Sequence, residues 1–316
     1  MYKCVKLTNK NLKYFRELNN KRYLFNPVNE DFFKTYDRYN FAKQLILRRR
    51  VKLIKKDLHY IGYIWSDVSY NKMRTINAMN VLCNCIAPDS LPYKYLINTI
   101  KEPCTIKYMC QNNNYNFNLL KSIGFKKREG TLTLYKNLLE NIPLIFDEKL
   151  QFKIFQKGKD EQKRCEIQNE IFKADTRIPL TLEDIYFDEA QDYYFERGAI
   201  FLKQNNEYIG YGQIIMENDV PVIVNFGILK QFRGKKYGKA LLIYLLKMMY
   251  SSGFNKIIIK VKSSNYIALQ LYTSMGFRIE SERYNWILEK KVSINNYGNF
   301  FIIIYSLTFD TLLVLL

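Results

Sequence analysis

Residues 222–253 read VIVNFGILKQFRGKKYGKALLIYLLKMMYSSG, and this stretch decides the fold. Val222 to Leu229 is nearly all apolar and rich in β-branched residues, without polar alternation. That pattern predicts a strand covered on both faces. Gly234 and Gly238 then bracket Lys235, Lys236 and Tyr237. From about Lys239 the apolar positions Ala240, Leu241, Tyr244, Leu245 and Met248 form the stripe of a helix lying on a sheet, and Gly253 ends it. A strand feeding a helix through such a loop aims backbone N–H groups and the positive end of the helix dipole at one spot. This is an anion site suited to a phosphate or pyrophosphate. Arg233, Lys235, Lys236 and Lys239 add positive charge to it.

Two nucleotide devices fail on spacing. A dinucleotide fingerprint needs G-x-G-x-x-G, whereas the loop has G-K-K-Y-G. A P-loop needs four residues between its glycines and then Lys-Ser/Thr; here three residues intervene and Lys239-Ala240 follows, so no hydroxyl is placed for magnesium.

The 316 residues suffice for two domains with real cores, and 48% apolar content marks a globular chain. The net charge of +19 calls for an anionic partner, whether nucleic acid, a membrane surface or a phosphorylated cofactor. The charge is spread over most predicted elements and no nucleic-acid motif appears, so neither nucleic acid nor membrane is the expected partner. Six cysteines without a C-x-x-C pair read as reduced thiols of a cytoplasmic protein. His59 is the lone histidine, which argues against Ser-His-Asp, Cys-His and histidine-rich metal chemistry; no metal is expected. Met1 to Leu12 is too polar for a signal peptide. Residues 300–316 are apolar but contain Asp310, and they are expected to be an extension of unknown role rather than a membrane span.

Along the chain, element patterns run β-α-α-β-β-β-α-β-α-β up to about Tyr135 and then reset at Lys149. The second half repeats the first. Tyr60-Ile61-Gly62-Tyr63 recurs as Tyr208-Ile209-Gly210-Tyr211, and Ser122-Ile123-Gly124-Phe125 recurs as Ser274-Met275-Gly276-Phe277. The expected organisation is therefore two duplicated domains, 1–140 and 149–291, with an apolar extension over 292–316. The fold class expected is mixed α/β (α+β).

Arg233-Gly234-Lys235-Lys236-Tyr237-Gly238-Lys239-Ala240 resembles the acyl-CoA signature of the GNAT N-acetyltransferases, Arg/Gln-x-x-Gly-x-Gly/Ala, with Lys236 where the family has its first signature glycine. Asn265, Ala268, Leu271, Tyr272, Gly276 and Phe277 fit the family's closing pattern. The resemblance implies two GNAT-like domains, each a twisted, mostly antiparallel sheet with a splayed parallel central pair. It implies acetyl-CoA as co-substrate, with Ile228, Leu229 and the adjoining strand backbone on the pantetheine and Arg233 to Lys239, including Tyr237 and Gly238, on the pyrophosphate. Asn265 would contact the pantetheine arm, and Tyr272 would protonate the departing thiolate as general acid.

The strand at 222–229 has no carboxylate, so Glu217 is the candidate base. For the acceptor, a small-molecule or peptide amine, Asp184, Asp188 and Asp192 fall at i, i+4 spacing and are expected to present an acidic face to a cationic amine. Gly227 is expected to mark a bulge. The first-half counterpart of the loop, Ala87 to Pro92, has no glycine or base and has Asp89 where an anion would sit; Leu120 replaces the tyrosine. No acyl-CoA binding is expected there. The function expected is acetyl transfer from acetyl-CoA to a primary amine by direct attack. The alternative is a non-catalytic acyl-CoA-binding or RNA-binding protein built from the same domains.

Overall fold

A computed structural model of the chain describes residues 1–68, 70–82, 89–138, 148–175 and 177–291. The expectations for Cys83, Cys85, Ala87, Pro88 and the segment 292–316 lie outside the described residues. Among the described residues twelve strands join in one sheet: β1 (Tyr2–Lys6), β2 (Val51–Lys56), β3 (His59–Ser66), β4 (Met73–Val81), β5 (Cys104–Gln111), β6 (Lys126–Asn137), β7 (Leu150–Ile154), β8 (Tyr194–Gln204), β9 (Glu207–Glu217), β10 (Val220–Ile228), β11 (Lys256–Lys262) and β12 (Arg278–Lys290). The described helices are α1 (Leu12–Asn20), α2 (Phe32–Tyr36), α3 (Phe41–Arg49), α4 (Leu91–Ile97), α5 (Asn116–Ser122), α6 (Glu161–Ile171), α7 (Leu182–Glu189), α8 (Tyr237–Ser251) and α9 (Tyr266–Ser274).

The strand order is β1-β2-β3-β4-β5-β12-β6-β11-β10-β9-β8-β7, so the two halves run inward from opposite edges and meet in the middle. Neighbours are antiparallel except for β4 with β5 and β10 with β11. These are the two parallel pairs, one in each half. The Tyr-Ile-Gly-Tyr tetrads fall on β3 and β9, at matching places. A Cβ on Gly62 would come within 2.5 Å of the Asn80 carbonyl, and one on Gly210 within 2.5 Å of the Ile228 side chain. The repeated glycine thus lets the strand lie tight against its neighbour in both halves.

The centre of the sheet holds an arrangement not visible in the sequence: the last strands are exchanged. β6 pairs with β11 of the second half, and β12 pairs with β5 of the first. Leu132 and Leu134 of β6 are buried with Leu241, Leu245 and Ile259 under α8. Trp286 of β12 is fully buried among first-half residues such as Leu119, Leu120 and Tyr108, its ring 5.1 Å from Phe117. At about 25 cal/mol per Å² and 150–250 Å² for an aromatic side chain, the indole alone contributes roughly 4–6 kcal/mol. Each core is therefore completed by a strand from the other half.

Residues 29–48 do not form one continuous helix. Asp31 and Asn40 each cap a new start, accepting from the Phe33 and Lys43 N–H groups, and the run divides into α2 and α3. This break delivers Phe32, Phe33 and Tyr36 to the core beneath Phe15, Tyr63 and Trp65.

In both parallel pairs the strands part company, but the two gaps differ. β4 and β5 pair from Met73/Thr105 to Ile76/Tyr108 and no further. Beyond that point the segment before α2 sits between them. Asn29 donates to the Met79 carbonyl (2.9 Å) and accepts from the Met79 N–H (3.4 Å) on β4. Asn26 donates to the Met109 carbonyl (2.9 Å) and accepts from the Gln111 N–H (3.0 Å) on β5. The Tyr108 hydroxyl closes the set by donating to Asn29 at 2.8 Å. Two asparagine side chains thus satisfy the backbone groups that the parting strands leave open.

Replacing Asn29 with Ala strands the Met79 backbone and the Tyr108 hydroxyl. We expect a loss of about 3 kcal/mol, since each buried group left unpaired costs roughly 1–3 kcal/mol. Urea denaturation reads this directly; a loss below about 1 kcal/mol would mean that the carboxamide is not what holds the two strands there.

Candidate active site

β10 and β11 pair at Val222/Ile258 and Ile223/Ile259 and then separate. The separation has a cause in β10 itself. Its register against β9 shifts between Val224 and Gly227, and Asn225 lies in the left-handed region at φ 48°. Asparagine tolerates that conformation better than the β-branched residues before it, Val222 to Val224. Gly227, expected at the bulge, closes it, and a Cβ there would meet Ile171 of α6 at 2.3 Å.

The bulge is fixed by a buried polar chain. Asn225 Nδ2 donates to Gln213 Oε1 (3.1 Å), and Gln213 Nε2 donates to Asp188 Oδ2 (3.0 Å). Arg164, 1% exposed, pairs with Asp188 and donates to Gln213 (3.0 Å). Burial alone would raise the Asp188 carboxyl, but hydrogen bonds from Gln213 and Arg164 outweigh it and hold the group below its ordinary value.

The expected acidic face is therefore not formed. Asp188 is consumed by Arg164, Gln213 and the Tyr193 hydroxyl. Asp184 closes a capping box with Thr181, accepting from its N–H at 2.8 Å. The helix ends at Glu189, so Asp192 lies beyond it in the turn before β8. The i, i+4 spacing was real, but helix termination and one buried arginine dispersed it. Glu217 is likewise engaged: both its oxygens accept from Lys260, at 2.6 and 2.8 Å.

Between the parted strands lies a cleft of about 250 Å³. Val224, Asn225 and Phe226 of β10 form one wall, Lys260 and Lys262 of β11 the other, and Phe172 and Arg177 from the α6–α7 connection stand over it. Asn225, Phe226, Arg177 and the two lysines are additions that the motif reading missed; Arg177 lies outside any motif. Asn265 and Tyr272 line the same cleft. Asn265 caps α9 by accepting from the Ala268 N–H at 3.2 Å, which fixes its side chain at the rim. Tyr272 is buried, with the Phe226 and Phe277 rings at 6.2 and 5.9 Å. Burial pushes its hydroxyl well above the ordinary tyrosine range, so it stays protonated as a donor.

At the far end of β10, residues Lys230–Phe232 form a short turn and Gly234, at φ 81°, lets the chain swing back. Lys236 then precedes α8, whose first intrahelical bond runs from the Ala240 N–H to the Lys236 carbonyl. The N–H groups of Tyr237, Gly238 and Lys239 thus have no carbonyl of the helix to bond. Arg233 is not a free anion ligand: its guanidinium donates to the Ile228 carbonyl (2.8 Å) and the Ile171 carbonyl (3.0 Å), tying the loop to β10 and α6. Ile228 and Leu229 are buried beneath. In the first half, Asp89 accepts from the Leu91 N–H at 2.9 Å, and Leu120, which matches Tyr272 in the repeat, is wholly buried.

Among the described residues no helix is long and apolar enough to cross a membrane, and no cluster of three or more His, Cys, Asp or Glu residues is arranged for a metal.

Residues 165–277 match the model of the acetyltransferase (GNAT) family, so the second half carries a GNAT acetyltransferase domain. The chain is 25% identical over 143 residues to a mycothiol acetyltransferase of Amycolatopsis mediterranei, an alignment covering 42% of this chain. It covers 48% of that relative, so the chain spans about half the length of the curated protein it matches. Two solved structures share the fold along nearly the whole chain. A GCN5-related N-acetyltransferase from Sphaerobacter thermophilus has a TM-score of 0.53 at 14% identity, covering 91% of this chain and 95% of its own. A GNAT-family acetyltransferase from Colwellia psychrerythraea has a TM-score of 0.51 at 12% identity, covering 92% and 100%. At these identities the likeness concerns the fold alone.

Lys236, which replaces a signature glycine, adopts the conformation a glycine would take, with φ 63°. A side chain there costs about 1–2 kcal/mol, while glycine adds roughly 0.5–1 kcal/mol of unfolded-state entropy. Lys236→Gly is thus expected to stabilise the protein by about 0.5–1 kcal/mol in thermal or urea unfolding. A loss of more than 1 kcal/mol would show that the lysine side chain makes a compensating contact.

Proposed function

We propose that this protein transfers an acetyl group from acetyl-CoA to a primary amine by direct attack, with residues 149–291 as the acyl-CoA-binding unit and residues 1–140 as its partner. One observation carries the reading. A cleft opened by parting two parallel strands has a buried, protonated Tyr272 in its wall, and β10 runs on from that cleft into the loop before α8, whose first N–H groups have no carbonyl of the helix to bond.

In this reading the loop from Arg233 to Lys239 receives the pyrophosphate through its backbone, with Lys235, Lys236 and Lys239 adding charge. The exposed edge of β10 and Asn265 hold the pantetheine arm. The acceptor nitrogen attacks the thioester carbonyl, a C–N bond forms, and the C–S bond breaks. Backbone donors of the bulge face the oxygen on which charge develops. The leaving thiolate takes a proton from Tyr272, and the proton lost by the amine passes to water. No carboxylate or histidine lines the cleft among the described residues. The acceptor must therefore arrive as a neutral amine.

Two measurements test this. Thiol release from acetyl-CoA with an amine panel should fall at least tenfold in Tyr272→Phe, with the KM for acetyl-CoA little changed. Thermal stabilisation by CoA with no thiol release from any amine would favour a binding protein instead. For the wild type, kcat/KM should rise with pH as the amine deprotonates. Because burial raises the Tyr272 hydroxyl above its ordinary value of about 10, no fall from its ionisation should appear below that pH. A descending limb below pH 9 that vanishes in Tyr272→Phe would contradict the assignment.

A further inference from the structure

The face of the cleft turned away from α8 is cationic. Along β11, Lys260 and Lys262 alternate with Ile259 and Val261, which are buried in the core that contains α8. Side chains alternate across a strand, so both lysines project from the opposite face, the one that α6 and the α6–α7 connection approach. Register extends the row: Lys262 lies opposite Thr131 of β6, and Thr131 lies opposite Arg283 of the exchanged strand β12. Arg283 therefore stands on the same face, about 10 Å from Lys262 at two strand spacings. Lys260, Lys262, Thr131 and Arg283 are all exposed, so this central part of the sheet is uncovered.

The charges do not balance. Glu217 answers Lys260. Arg177, Lys262 and Arg283 have no carboxylate partner among the described residues; Arg177 donates to the Phe172 carbonyl at 3.5 Å, and Arg283 reaches Gln111 at 3.5 Å. The anion site for the pyrophosphate is a different place, the loop leading into α8 on the other face. The acidic helix face that was to attract a cationic amine is tied up internally, as shown above.

We infer that the acceptor is an amine that also carries a carboxylate or phosphate, its anion held by Arg177 and Lys262 at the cleft, with Arg283 in reach of longer acceptors. This rests on the acetyltransferase reading and narrows it. The cations do two things. They attract the anion of the acceptor and oppose polyamines. They also lower the pKa of the attacking amine by like-charge repulsion, which raises its neutral fraction where no base lines the cleft. The first half of the chain gains a role, because the floor of this surface includes its β5 and β6.

Matched acceptors separate the outcomes. We expect an α-amino acid or phosphoethanolamine to exceed its neutral partner, the carboxamide or ethanolamine, at least tenfold in kcat/KM once corrected for neutral-amine fraction. Which anionic member leads distinguishes carboxylate from phosphate. Lys262→Gln should erase most of that preference while changing the KM for acetyl-CoA less than twofold, and added salt should weaken it in the wild type. Equal rates within each pair, or a preference for spermidine, would overturn the inference while leaving the acetyltransferase intact. A large rise in the acetyl-CoA KM in Lys262→Gln would assign the lysine to the co-substrate and also overturn it. Thiol release with none of the amines would overturn the underlying reading, and the inference with it.

Discussion

Everything at the site depends on β10 parting from β11 after Ile223. A parallel pair that stayed zipped would have no cleft, and its backbone groups would be paired strand to strand. The parting is imposed by a single extra residue, Asn225, held in a left-handed conformation by a hydrogen bond to Gln213. Gln213 is in turn clamped by Asp188 and the buried Arg164. A buried ion pair of this kind is weak evidence for stability, since its desolvation cost can match its Coulomb gain. Here its effect is geometric: it connects α6, α7, β9 and the bulge through one polar chain.

The two halves apply the same device to different ends. In the second, the chain after α6 stands over the gap and leaves it open. In the first, the chain before α2 enters the gap, and Asn26 and Asn29 bond to the strands on either side. Asn113 and Asn116 fasten that segment by donating to the Phe25 carbonyl at 2.9 and 2.8 Å. The first half is thus a filled copy of the second. The exchange of β6 and β12 follows from the same duplication. Two similar sheets present two similar edges, and each final strand, entering after a Gly-Phe, finds a place beside the other half's fifth strand.

Much of this was legible in the residues. Asn265 and Tyr272 line one cleft, and both were marked by local patterns of cap and helical spacing. The repeats at Tyr60 and Tyr208 marked the duplication because close strand contact demands glycine in both copies. What stayed hidden was long-range. Nothing local shows that the carboxamides of Asn29 and Asn26 reach strands some fifty and eighty positions away. The acidic spacing of Asp184, Asp188 and Asp192 was misleading because a helix end and a partner on α6 decide where carboxylates point. Strand exchange leaves no local signature, since β6 and β12 pair the same way with either partner. Arg177 belongs to a connection without a pattern, and its place over the cleft comes from packing.

The central claim is that one gap in the sheet is open to acyl-CoA and the other is filled from within. Isothermal titration of the full chain with CoA tests it most directly. The account predicts one binding site per chain, retained in a protein whose first-half plug is intact. Two equivalent sites, or none, would contradict it.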